Sequence, residues 1–206
     1  DANKIFAPIN KLRYLCLKHG IKTFISQDFH HPAHISFAST YDKPLFSKQK
    51  LDLVMENGDK LIVEQIMWPT HCVQNTKGAQ FHSDLFVFFN DKIIQKGTKK
   101  NVESYSAFGD EFYGQYENTG LRRWLGYKHI TDIVIVGIAT DYCVYNTVLD
   151  AVNFGYHVHL ILSCIRGVDE ITTKKALDHL KEIKAVTIYD DVDDFFELNK
   201  IYFYKL

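Results

Sequence analysis

From residue 132 to residue 189 the chain alternates short β-branched runs with segments of helix length, and no other feature restricts its fold as tightly. The run Ile133-Val134-Ile135-Val136 predicts a strand over 132–137. A helix over 142–154 follows, closed by Gly155 as a C-terminal cap. A strand over 156–162, a helix over 170–183 and a strand over 185–189 complete the pattern. Strands separated by helices of this length pair in parallel, and a parallel sheet needs helices on both faces. The expected architecture is α/β, with three layers (α/β/α) around a doubly wound, mainly parallel sheet. At 206 residues the chain reads as one domain over 1–206.

The first half is less regular. A helix opens the chain, with Asp1 or Asn3 as its cap, an apolar stripe of Ile5, Ile9, Leu12, Leu15 and Cys16, and Gly20 as its stop. Pro8 is tolerable in an early turn of that helix. Ile21 to Ser26 reads as a buried strand and Gln27 to Thr40 as a long polar loop. Residues 41–66 look irregular, with a hairpin about Asn57-Gly58-Asp59. A short helix over Gln74 to Asp84, a strand over Asp91 to Lys96 and a helix over Leu121 to Lys128 follow. The tail carries Asp190, Asp191, Asp193 and Asp194 ahead of Phe195, Phe196, Tyr202, Phe203 and Tyr204. It is either an acidic turn before a core-covering helix or a docking segment.

Charge and cysteine content remove several functional classes. Lys and Arg number 24 against 25 Asp and Glu, with neither sign segregated, which argues against a nucleic-acid or anionic-membrane surface. Cys16, Cys72, Cys143 and Cys164 lack the paired spacing of zinc knuckles or redox dithiols. With no signal peptide or membrane-spanning run, the expected location is a reducing intracellular compartment, the cytoplasm.

Doubly wound sheets place their sites beyond the carboxyl ends of the strands. Three such ends carry reactive residues here: Asp28-Phe29-His30, Lys96, and Cys143 in the turn after strand 132–137. Cys143 falls in a first helical turn, where unpaired N–H groups favour a thiolate and can hold an oxyanion. Position alone leaves it a nucleophile or a buried core cysteine. Lys96 beside a thiolate makes an ion pair that lowers the thiol pKa; without that context it is a surface lysine in the basic run Lys96, Lys99, Lys100. Asp28 and His30, two apart in extended backbone, project to one side, and His71 sits in the rigid turn Trp68-Pro69-Thr70-His71-Cys72. One carboxylate and two imidazoles suit Zn²⁺, Fe²⁺ or Mn²⁺, with His31 and His34 as competing ligands. Trp68, Tyr105 and Phe108 offer flat walls for an aromatic ring, or simply fill core.

Taken together, these motifs resemble the nicotinamidases of the isochorismatase-like cysteine hydrolase superfamily. The matching stretches are Gln27-Asp28-Phe29-His30, His34-Ile35-Ser36-Phe37-Ala38, Trp68-Pro69-Thr70-His71-Cys72-Val73, Lys96-Gly97, Tyr105-Ser106-Ala107-Phe108 and Val136-Gly137-Ile138-Ala139-Thr140-Asp141-Tyr142-Cys143-Val144. The resemblance implies a metal-dependent amidohydrolase that converts nicotinamide to nicotinate and ammonia through a thioester on Cys143, with Lys96 as its triad partner. It implies an oxyanion hole from the Ala139 and Cys143 N–H groups and a cis peptide at Ile138–Ala139. Trp68, Tyr105 and Ala139 would contact the substrate. One divalent metal, Zn²⁺ with Fe²⁺ or Mn²⁺ as alternatives, would be held by Asp28, His30 and His71. Enzymes of this type often assemble, so a homo-oligomer fits the resemblance.

Two departures qualify it. Phe29 replaces the family's usual Trp. Family members also begin with a central strand ending in Asp-x-Gln-x-x-Phe, whose Asp completes the triad, whereas this sequence opens at the following helix. The expectation is a chain shortened at its N-terminus, with an interrupted sheet and poor catalysis. Two other readings remain: an isochorismatase-type or other small-amide hydrolase, and a non-catalytic subunit binding nicotinamide or metal.

Overall fold

The structure, a computed structural model, describes residues 2–54, 58, 60–112 and 115–199. A 3-10 turn over Ala2–Ile5 leads into α1 (Phe6–Lys18), followed by β1 (Phe24–Asp28) and the single helical turn α2 (Ala38–Tyr41). Then come β2 (Lys48–Val54), β3 (Lys60–Ile66), β4 (Lys92–Lys96), β5 (Gly109–Phe112), β6 (Gln115–Asn118) and α3 (Leu121–Tyr127). The alternating half contains β7 (Asp132–Ile138), a π-helical turn (Thr140–Val144), α4 (Tyr145–Asn153), β8 (His157–Arg166), α5 (Glu170–Lys181), β9 (Val186–Tyr189) and α6 (Val192–Leu198). Among the described residues, no helix is long and apolar enough to cross a membrane.

The β-branched run of β7 explains the layering. Ile133 and Ile135 pack into a cluster with Val144 of the π-helical turn, Val148 and Ala151 of α4, Leu121 and Leu125 of α3 and Leu180 of α5. Val134 and Val136 point the other way, against Ile9, Leu12 and Cys16 of α1 and Val192 and Phe195 of α6. Successive side chains therefore feed opposite faces of the strand, each covered by helices. β7, β8 and β9 pair in parallel in that order, and β1 pairs in parallel with β4. Phe24 of β1 and Ile94 of β4 join the same layer as Ile133. Among the described residues the parallel sheet thus comes in two pieces, with β1 paired to β4 alone and β7 to β8 alone.

Several local expectations need correction. Neither proposed cap closes the first helix: Ile5 occupies the N-cap of α1 without a side-chain hydrogen bond, and Asp1 lies outside the described residues. Lys48–Val54 and Lys60–Ile66 pair antiparallel, in keeping with the expected hairpin but with regular strands where an irregular stretch was expected. Its outer face carries Lys60, Ile62 and Glu64, while Leu51 and Val63 turn inward onto Ile35, Ala38 and Met67, so the apolar pattern is too diluted to read. The proposed turn at Asn57-Gly58-Asp59 falls largely outside the described residues. No helix forms over Gln74 to Asp84 beyond a 3-10 turn at Lys77–Ala79. There Gln74 spends its backbone and side-chain N–H groups on the His30, Phe29 and Thr98 carbonyls, and Asn75 is left-handed at φ +62°. The acidic tail is a helix start: the Asp191 side chain accepts from the Asp193 and Asp194 N–H groups and caps α6. Tyr202, Phe203 and Tyr204 lie outside the described residues.

Leu160 of β8 is fully buried in the inner layer. Leu160→Ala is expected to destabilise the fold by about 2–5 kcal/mol, read as a lower urea midpoint with an unchanged slope.

Candidate active site

β1 and β4 run side by side with Asp28 opposite Lys96, so both side chains emerge at the carboxyl end of the strands. The Lys96 ammonium is 3% exposed and has three partners: Asp28 Oδ1 at 2.7 Å, the Ser104 carbonyl at 2.8 Å and Cys143 Sγ at 3.3 Å. Those three acceptors match its three N–H donors, which is what keeps a buried ammonium tolerable. Burial opposes its charge, yet the Cys143 sulfur and the Asp28 carboxylate hold Lys96 above the usual lysine range. Burial likewise works against Asp28, but Lys96 and His30 hold that carboxyl well below the usual range. Cys143 departs from expectation. Burial pushes its thiol up, and the pull of Lys96 offsets this only in part. Lys96 does lower the thiol's pKa, as expected, but desolvation at this depth outweighs one ammonium that already serves a carboxylate.

Cys143 sits in the π-helical turn that follows the cis peptide Ile138–Ala139. That turn is tied down from two directions. The Asp141 carboxylate accepts from the Val168 N–H at 3.0 Å and the Thr172 hydroxyl at 2.5 Å at the start of α5. The Thr147 hydroxyl donates to the Cys143 carbonyl at 2.6 Å and accepts from the Ala107 N–H at 3.0 Å. Ala139, the other expected oxyanion residue, opens the same turn and accepts through its carbonyl from the Tyr142 and Val144 N–H groups.

Asp28, His30 and His71 come together, each offering a ligand atom within 4.8 Å of the others. The two imidazoles are oriented through their backs. His30 Nδ1 donates to the Gly97 carbonyl at 2.9 Å and His71 Nδ1 to the Pro69 carbonyl at 2.7 Å, leaving each Nε2 as a lone-pair donor. One carboxylate and two oriented imidazoles fit a divalent ion with open positions. His34 stands outside this set and groups instead with His30 and Glu103 in a second, fully buried cluster of possible ligands, while Ser36 Oγ lies 2.8 Å from its Nδ1 and the Val102 carbonyl 3.0 Å from its Nε2. Burial depresses its pKa to about 3, so it stays neutral. His31 accepts from the Ala33 N–H.

Trp68 and Tyr105 also meet, the indole Nε1 donating to the Tyr105 hydroxyl at 2.9 Å. Tyr142 completes the set, 4.7 Å from Trp68 and 5.6 Å from Tyr105 between ring centroids. Phe108, by contrast, is core, packed on Phe154 and Tyr156. Two residues went unremarked as site components in the sequence. Tyr142 adjoins Cys143 within a quoted motif, and that adjacency was the available signal. Glu103 is buried near His30 and Lys96, its carboxylate accepting from the Ser104 N–H at 2.9 Å, and burial pushes its pKa up. Nothing in its local sequence marks it.

Gly97 explains why Lys96 is followed by glycine. Its φ is +61°, and a Cβ there would collide with the His30 ring. Gly20 has a similar φ of +67° but open space around it. Gly20→Ala should therefore cost about 1 kcal/mol, the backbone penalty alone, and Gly97→Ala clearly more, compared by thermal melting.

Comparison with known proteins agrees with this geometry. The isochorismatase domain family matches residues 1–190. The chain is 39% identical over 160 residues to the nicotinamidase of Escherichia coli strain K12, spanning 78% of this chain and 70% of that protein. The solved structure of the yeast nicotinamidase Pnc1p superposes with a TM-score of 0.80 at 29% identity, covering 92% of this chain and 89% of that one. The pyrazinamidase of Pyrococcus horikoshii, solved in complex with zinc, superposes with a TM-score of 0.70 at 27% identity, covering 91% and 85%. A helix-covered parallel sheet, a cysteine at the end of its β7 strand and matches of this extent lead to one conclusion: the chain belongs to the isochorismatase family.

Proposed function

We propose that residues 1–206 act as one isochorismatase-like domain that hydrolyses the carboxamide of nicotinamide to nicotinate and ammonia, a step of NAD salvage in the cytoplasm. The observation that carries this reading is the Lys96 ammonium, bonded at once to the Cys143 sulfur and to Asp28 beside two oriented imidazoles. The nicotinamidases among its relatives, with identities up to 39%, support the substrate class.

In this reading Cys143 Sγ attacks the carboxamide carbon. A C–S bond forms, the C–N bond breaks, and the thiol proton leaves on the nitrogen as part of ammonia. Water then attacks the thioester carbon, returning a proton to the sulfur and releasing nicotinate. The N–H groups of Ala139 and Cys143 hold the oxyanion of both tetrahedral intermediates. Lys96 steadies the sulfur and keeps Asp28 ionised. Trp68 and Tyr105 flank the ring, with Tyr142 beside them. Burial pushes the thiol's pKa up, so attack needs a proton acceptor, and Asp28 is engaged by Lys96 and by its place in the ligand set rather than free for that task. Asp28, His30 and His71 would hold a zinc, iron or manganese ion, which would supply a Lewis acid beside the substrate ring. The ligand chemistry and the zinc complex of the Pyrococcus relative favour zinc.

Ammonia release from nicotinamide, pyrazinamide and isochorismate tests the substrate class. Turnover of nicotinamide and pyrazinamide alone is expected; a preference for isochorismate, or nicotinamide binding without ammonia, overturns the reading. Cys143→Ala is expected to abolish turnover with metal content unchanged, since the sulfur is outside the ligand set. His71→Ala is expected to lower metal content and raise KM, and full metal occupancy in that variant would remove His71 from the site.

A further inference from the structure

The segment leading into β2 holds an aromatic residue in a backbone conformation suited to glycine. Phe46 has φ +61°, in the left-handed region, where a bulky side chain is an outlier. Burial returns little of that cost, because Phe46 remains 59% exposed. Hydrogen bonds keep it in place: its N–H donates to the Met67 carbonyl at 2.6 Å, and the Met67 N–H donates to the Ser47 carbonyl at 2.9 Å. The hairpin register pairs Lys48 with Ile66; continued by two residues, it sets Phe46 opposite Trp68. The Phe46 ring meets the indole edge-on, with centroids 5.8 Å apart and planes at 90°.

Trp68 is thereby held from three directions. Phe46 stands against one side, Tyr142 lies at 4.7 Å and 86° on another, and Tyr105 accepts from the indole N–H. The backbone beneath it is fixed as well, the Trp68 N–H donating to the Ser36 carbonyl at 2.7 Å. Strained residues persist where the surroundings over-determine them, and they gather at ligand clamps. An exposed ring that packs on a proposed substrate wall, in a conformation glycine would adopt freely, fits that description.

We propose that Phe46 determines specificity for flat heteroaromatic amides by holding the Trp68 indole upright against the substrate ring and shielding its outer side from water. It acts through Trp68 and is a positioning residue. The inference rests on the reading of Trp68 as a ring wall in the proposed function. It assigns the β2–β3 hairpin a role in recognition: the hairpin delivers Phe46 to the aromatic recess.

The chain contains two tryptophans, so a parent protein carrying Cys143→Ala and Trp124→Phe has Trp68 as its sole indole and reports nicotinamide binding by emission without turnover. In that parent, supplied with zinc, Phe46→Gly removes the ring while suiting the backbone. Its melting temperature should hold or rise, and its nicotinamide Kd should increase about tenfold, the scale of one aromatic contact. Phe46→Leu, which keeps apolar bulk without a ring, should show the same loss, and Phe46→Tyr should restore parental binding. An unchanged Kd in Phe46→Gly or Phe46→Leu overturns the role of Phe46 alone. A lower melting temperature in Phe46→Gly overturns the strain argument behind it. A parent that does not bind nicotinamide overturns the functional reading, and the proposal with it.

Discussion

A buried ammonium ties together parts of the fold that lie far apart in the chain. Lys96 ends β4, Asp28 ends β1, Cys143 follows β7, and the Ser104 carbonyl comes from the loop after β4; all four meet at one nitrogen. Charge is tolerated at this depth only because every N–H of the ammonium has an acceptor. Breaking such a pair by removing one partner typically costs about 3–5 kcal/mol, because the other charge is left buried and uncompensated. The same atoms therefore stabilise the junction between the two parallel pieces of sheet and bring the Cys143 sulfur beside the Asp28–His30–His71 cluster.

Orientation of the imidazoles depends on backbone rather than on side-chain partners. Carbonyls of Gly97 and Pro69 take the Nδ1 protons of His30 and His71, which turns both Nε2 atoms toward Asp28. Each carbonyl is placed by a residue with restricted or unusual backbone freedom: Gly97 in the left-handed region against the His30 ring, and Pro69 with its locked φ. The Lys96-Gly97 and Trp68-Pro69 dipeptides thus each join a site residue to the backbone device that orients its neighbour. Electrostatics then divides the site. Asp28 is held ionised by Lys96 and His30, Lys96 is held charged by its two acidic neighbours, and burial pushes the Cys143 thiol up.

Legibility in the sequence followed local physics. The alternation over β7 to β9 was readable because buried parallel strands are continuously apolar and their covering helices are long enough to show a period. Of the β2–β3 hairpin, the reversal was signalled by Asn57-Gly58-Asp59 but the length of its strands was not, since one face is solvent-exposed and its inward residues, Leu51 and Val63, are too few to mark a pattern. The expected helix after Gln74 failed because tertiary hydrogen bonds to the His30, Phe29 and Thr98 carbonyls outcompete local helix formation. His34 and His30 could not be separated by spacing. Only the environment does so, one ring lying between Ser36 Oγ and the Val102 carbonyl and the other held at its back by Gly97 with its Nε2 facing the Asp28 carboxylate at 3.7 Å.

By itself the sequence determined the layered α/β architecture and the strand ends that carry Asp28, Lys96 and Cys143, because hydrophobic period is a local property. Tertiary structure alone decided that Lys96 binds both the sulfur and Asp28, that burial pushes the Cys143 thiol up, that Phe46 stands on Trp68 and that Glu103 lies beneath the site. Each of those depends on distances and desolvation between residues remote in the chain, and neither quantity is written into any local stretch of residues.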